Sequence, residues 1–198
     1  MRLADERYEQ IKGAVAETLE LCEVRSYPID VSAMARTVGF ELCPYSRLGD
    51  KGQRAALAIS PNGFKFELWD GEPGGAEWRI YYNDAQPVER QRFTILHEVG
   101  HIVLGHRQAS ELAEAEANFF AKYAIAPPSL VHATHPRDFM DIAETFGTSA
   151  ECALNSWNYY QKWRCHSVGG DYERTLAGLF LVGDQEGGDA MLRTRKGA

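Results

Sequence analysis

Residues 95–106 read ILHEVGHIVLGH, with His97 and His101 four positions apart and Glu98 directly after the first histidine. The apolar residues around them are Ile95, Leu96, Val99, Ile102, Val103 and Leu104. Together they cover nearly the whole circumference of a helix, so the spacing predicts a buried helix from Pro87 to about Leu104, stopped by Gly105. Residues four apart on a helix differ by about 40° in direction, so both imidazoles point the same way. That is the spacing two histidines need to grip one Zn²⁺ at roughly 2.1 Å each. Glu98 is turned to the flank, out of easy reach as a ligand but placed to exchange a proton with water at the site. Polar groups buried without partners are costly, so a His-Glu-His set inside such a helix calls for partners elsewhere in the chain.

A catalytic zinc usually has three protein ligands and one open position. His106 is the nearest third candidate. At about 100° per residue it would stand roughly 140° round from His101 if the helix continued, so it is read as a loop or rim residue. The next helix, expected over 110–126 and stopped by Pro127-Pro128, carries Glu111, Glu114 and Glu116. Glu114 shares a stripe with Asn118, Ala121 and Ile125, small or amide residues that let a helix come close. Glu114 is therefore preferred as third ligand, with Glu116 in reserve and Glu111 on a solvated face. Asn118, one turn on, is expected to hydrogen-bond the ligating carboxylate. Two imidazoles and a carboxylate suit Zn²⁺, with Mn²⁺ as the alternative.

Working outward, residues 5–23 place Tyr8, Ile11, Val15, Leu19 and Cys22 at steps of three or four, an amphipathic helix. Asp30 can cap a short helix that buries Val31, Met34, Ala35 and Val38 and ends at Gly39. A β-rich stretch follows: strand candidates at 40–45, 55–60, 64–69 and 77–84, with Asn62-Gly63 favouring a hairpin turn between the second and third. A loop is expected over DGEPGGAE, residues 70–77. The result is a small, mostly antiparallel sheet. The strand at 77–84 immediately precedes the histidine helix, and its edge could take up an extended peptide through main-chain hydrogen bonds. Further helices are expected near 138–146 and 149–163. Beyond 164 the chain is rich in glycine and charge, with GLFLVGD at 178–184 a strand candidate.

Bulk properties narrow the function. At 198 residues and 44% hydrophobic, the chain can bury one substantial core. No run approaches the roughly 20 apolar residues that span a bilayer. MRLADERYEQ carries charges where a secretory signal is apolar, so the expected location is cytoplasmic, with no membrane partner. A net charge of −7 without any Lys/Arg block argues against a general nucleic-acid binder. Cys22, Cys43, Cys152 and Cys165 show no Cys-x-x-Cys pair and are read as free thiols. AETFGTSAECALNSW, residues 143–157, is similar to a helix-turn-helix, with Gly147 in the turn and Ala143, Phe146, Ala153, Leu154 and Trp157 packing. A DNA reader lines its second helix with basic residues. Here Asp138, Asp141, Glu144 and Glu151 face only Lys162 within 138–163, so a helical, partner-recognising subdomain is favoured over a DNA-binding regulator. A metal-stabilised binding module without catalysis is the other alternative, and the intact Glu98 argues against it.

RFTILHEVGHIVLGH at 92–106, followed by EAEANFFAKYAIAPP at 114–128, resembles the ImmA/IrrE family of bacterial metallopeptidases. YPIDVSAMARTVGFEL, residues 27–42, is similar to the opening helix and strand of that family, and the resemblance spans roughly residues 25–165. It implies a gluzincin-like zinc endopeptidase with His97, His101 and Glu114 as ligands and Glu98 as catalytic acid/base. It also implies an anti-repressor role: cleavage of a helix-turn-helix repressor encoded by a mobile element or controlling stress genes. The expected architecture is α+β: an N-terminal helix, a small sheet, a zincin-like two-helix metal core and a helical C-terminal part. Residues 1–134 would form the metallopeptidase domain, 135–165 a helix-turn-helix-like subdomain, and 166–198 a partly disordered tail.

Overall fold

The computed structural model describes residues 2–69, 76–166 and 170–181. They form two compact units, one of residues 30–121 and the other of residues 2–29 together with those from 122 onward. The architecture is α+β, with a three-stranded sheet and predominantly helical structure elsewhere.

The first unit opens with α1's successor in the chain, α2 (Val31–Thr37), where α1 is Asp5–Leu21 of the other unit. Asp30 Oδ1 accepts from Ser32 N and Ala33 N, both at 2.9 Å, and so satisfies two donors that a helix start leaves unpaired. Met34 and Ala35 are its buried residues. The sheet holds β1 (Glu41–Pro44), β2 (Gly63–Trp69) and β3 (Ala76–Tyr82) in the order β1-β3-β2. β1 runs parallel to β3, with Leu42 opposite Ile80; β2 runs antiparallel, with Lys65 opposite Ile80. The sheet is thus mixed, and β3, expected to offer a free edge, is the central strand. Ile80 is fully buried on it. On the opposite face Phe64 stacks on Tyr81 at 5.1 Å between ring centroids.

Residues 55–60 are not a strand. They lie mostly in α3 (Gly49–Ile59), and Gly63 begins β2 instead of closing a hairpin turn. AALAI is apolar throughout and so carries no two-residue alternation to enforce a strand. Three of its residues are alanine, the strongest helix former, preceded by Gln53 and Arg54, which also favour helix. The expected loop lies, for residues 70–75, outside the described residues.

α4 (Val88–Val103) packs on β2 and β3 and buries Thr94, Ile95, Leu96, Val99 and Gly100. A side chain such as Leu96, fully buried, stabilises the fold by about 1.5–3 kcal/mol. Val103, in contrast to the sequence reading, is exposed. α5 (Glu111–Ile125) follows. A Cβ on Gly100 would stand 3.0 Å from three side-chain atoms of Phe120, so the missing side chain lets α5 lie close against α4.

In the second unit α1 buries Ile11, Val15 and Leu19 and packs against α9 (Asp171–Leu181). The strand candidate at 178–184 is therefore helical over 178–181: Leu176 and Leu179 face inward and Phe180 stacks on Tyr27 at 5.3 Å. Residues 167–169 and 182–198, the remainder of the proposed tail, lie outside the described residues. α6 (Pro128–Ala133) begins at the proline pair that ends α5, because proline suits a first helical turn. α7 (Phe139–Phe146) and α8 (Ala150–His166) pack together across Gly147 as expected. The inward stripe of α8 is Ala153, Ser156 and Tyr160, while Leu154 is exposed.

Candidate metal centre

α4 carries His97 and His101 on one face, and α5 brings Glu114 to them. His97 Nε2 lies 3.0 Å from His101 Nε2, and the Glu114 carboxylate reaches His97 Nε2 at 3.4 Å and His101 Nε2 at 3.3 Å. Donor atoms about 2.05 Å from a tetrahedral ion stand roughly 3.3 Å apart, so these spacings fit one small divalent cation. The three residues form a cluster that could hold a metal ion. The donor chemistry fits as well. Burial pushes the His101 imidazole down to about 4, with smaller electrostatic contributions from neighbours including Lys65. Burial also lowers His97, against the opposing pull of Glu114 and Asn118. Both rings are thus neutral at physiological pH, the form that binds metal. The Glu114 side chain is 54% exposed, which marks the open side of the cluster.

Glu98 is buried on the flank of the pair, as the helix geometry predicts. Burial pushes its carboxyl up to about 7; the nearby Glu114 carboxylate adds to this, while the Lys65 backbone N–H and ammonium oppose it. Lys65, not anticipated from sequence, donates its backbone N–H to Glu98 Oε2 at 3.1 Å and its Nζ to the His106 carbonyl at 2.8 Å. Its ammonium also sits 4.5 Å from the centre of the Trp78 ring. No local pattern signals this, since 33 positions separate Lys65 from Glu98. The nearest hint is the strand signal itself, which places Lys65 on a strand packed against the histidine helix.

Glu116 and His106 do not occupy the places the sequence suggested. Glu116 is buried and its Oε2 lies 2.9 Å from His106 Nε2, away from the cluster. His106 is no rim residue: its Nδ1 meets His101 Nδ1 at 3.0 Å. The rotation argument assumed that the helix continues, and it does not. Gly105 adopts φ +72°, the left-handed conformation that glycine adopts without strain. His106 N then donates back to His101 O at 2.9 Å and Gly105 N to Ile102 O at 3.0 Å, the paired bonds of a Schellman turn. Such a turn folds the side chain after glycine onto the one five positions earlier, here His106 onto His101. A glycine four and a histidine five residues past His101 was the available signal. Asn118 lies beside His97 instead of the Glu114 carboxylate. Glu111 is exposed, as expected.

The edge expected to receive a peptide, that of β3, is closed by β1 on one side and β2 on the other. The strand edge next to the cluster is that of β2, where Lys65 N meets Glu98.

A small mixed sheet backed by a histidine-bearing helix, with a carboxylate supplied by the next helix, makes a cluster that could hold a metal ion at the edge of an α+β core. The chain matches the IrrE N-terminal-like domain, a peptidase family designated M78, over residues 60–158, half of its length, and it belongs to that family. The matched segment contains α4, α5 and every residue of the cluster. No curated protein matches the chain. Among the described residues no helix is long and apolar enough to cross a membrane.

Proposed function

We propose that the protein is a zinc-dependent endopeptidase whose substrate is another protein. The observation that carries this reading is the convergence of His97, His101 and Glu114 beside a buried glutamate, Glu98. His97, His101 and Glu114 hold the ion. Zinc in such a site acidifies water and polarises a carbonyl group, the two requirements of peptide hydrolysis. Glu98 accepts the proton of the attacking water on its carboxylate and returns it to the leaving amine. A carboxyl pushed up to about 7 suits both directions of that transfer, since a proton carrier works best near the operating pH. Lys65 keeps Glu98 in position through its backbone N–H. The substrate strand pairs with the open edge of β2, beside Glu98. By the family resemblance, the substrate is a helix-turn-helix repressor, and cutting it relieves repression.

The test uses purified protein, zinc analysis and candidate repressors incubated with and without chelator. Glu98→Gln is expected to bind zinc normally while kcat falls by about 10²–10⁴-fold, the usual contribution of a general base. Wild-type cleavage by Glu98→Gln would reject the mechanism. Cleavage unaffected by the chelator would reject the metal.

A further inference from the structure

We infer that His106 and Glu116 are positioning residues for the metal centre, forming a hydrogen-bonded chain that fixes which nitrogen of His101 is free to bind the ion. The inference rests on the proposed reading of His101 as a ligand. His101 Nε2 is the atom that faces His97 Nε2 and the Glu114 carboxylate. A ligating nitrogen carries no proton, so the ring proton of neutral His101 sits on Nδ1. That N–H points at His106 Nδ1, 3.0 Å away, which must accept. With Nδ1 accepting, the ring proton of His106 is on Nε2 and is donated to Glu116 Oε2 at 2.9 Å. Every donor in the series has one acceptor, and the series ends on a buried carboxylate. Glu116 thereby orders both rings, and the Schellman turn at Gly105 sets the distance between them.

The two ligand histidines differ in this respect. Among the described residues His97 Nδ1 is buried without an acceptor in hydrogen-bonding geometry, whereas His101 Nδ1 meets His106 Nδ1. Partners of this kind typically affect metal affinity by about 10–100-fold. The sequence offered Glu116 as a reserve ligand and His106 as a bystander. The geometry gives them one shared task.

The experiment measures zinc affinity by chelator competition on the full chain for wild type, His101→Ala, His106→Ala, His106→Asn, Glu116→Leu and the double variant His106→Ala/Glu116→Leu. Glu111→Leu, on the exposed face of α5, controls for loss of negative charge. Expected results are binding lost in His101→Ala, about 10–100-fold weaker binding in His106→Ala and in Glu116→Leu, and no change in Glu111→Leu. The double variant should bind no worse than His106→Ala alone, because both changes break one chain. His106→Asn, whose Oδ1 can stand where Nδ1 stood, should bind more tightly than His106→Ala, and Glu116→Gln, whose amide oxygen still accepts, more tightly than Glu116→Leu. Imidazole nitrogen NMR of the zinc-loaded wild type should place the protons on His101 Nδ1 and His106 Nε2. If His106→Ala fails to fold, Glu116→Leu and the NMR assignment decide. Wild-type affinity in a folded Glu116→Leu or His106→Ala, with His101→Ala defective, overturns the chain alone. Undiminished binding in His101→Ala overturns the ligand reading as well.

Discussion

Glu98 carries a carboxyl pushed up to about 7 from an ordinary 4.5, chiefly by burial. In chelated protein this makes stability pH-dependent. A carboxyl whose value is raised on folding contributes nothing unfavourable below about pH 4.5; its cost develops as pH rises from about 4.5 to about 7 and is complete above that. Chelated wild type should therefore lose stability relative to Glu98→Gln between pH 5 and 8, on the order of 3 kcal/mol at most. Referring wild type to Glu98→Gln cancels the opposite trend of the depressed His101. Urea midpoints of the two proteins at both pH values measure it, and parallel profiles would contradict the assignment. Residues of this kind were legible where one helix supplies the geometry: His97, Glu98 and His101 follow from spacing alone. Glu114 could be preferred over Glu116 only through its stripe of neighbours. Lys65 was invisible because strand and helix meet only after folding. His106 was misplaced because the helix was extended one residue past its glycine.

Between elements, two contacts set the approach of α4 to its surroundings. Gly100 faces Phe120 with no room for a methyl group. Gly100→Ala should destabilise by about 1–3 kcal/mol through overpacking and weaken zinc binding by displacing Glu114 from the histidines. A second change, Phe120→Leu, should recover part of both losses, read from unfolding midpoints and chelator competition. Gly105→Ala puts an alanine at φ +72° and should cost about 1–2 kcal/mol, with Gly105→Asn milder because asparagine tolerates that conformation. Equal losses in the two variants would argue against strain as the cause. Strand order was the least readable feature at this scale. The parallel pairing of Glu41 with Arg79 joins residues far apart in sequence, and no periodicity encodes it. Residues 55–60 were misassigned for a related reason, since a run apolar at every position fits either period.

For the whole molecule, zinc should act as a stabilising ligand, because the unfolded chain cannot bring His97, His101 and Glu114 together. At a hundredfold excess over its dissociation constant, zinc adds about 2.7 kcal/mol. For a chain of this size that raises Tm by roughly 5–10 °C. Scanning calorimetry with and without chelator measures the shift, which should vanish in His101→Ala. The family model spans the same helices that the sequence singled out, whereas α9 escaped notice because GLFL reads equally as strand or helix. That helix has a consequence for biosynthesis. α1 is made before its packing partner α9, which lies about 150 positions later. At roughly 5–20 residues per second, the ribosome delivers the partner some 8–30 s after α1 is made. During that interval the apolar side of α1, with Ile11, Val15 and Leu19, waits uncovered while residues 30–121 are already complete. A nascent chain arrested before α9 should therefore expose α1 to chaperones and proteases, and translation through α9 closes that window.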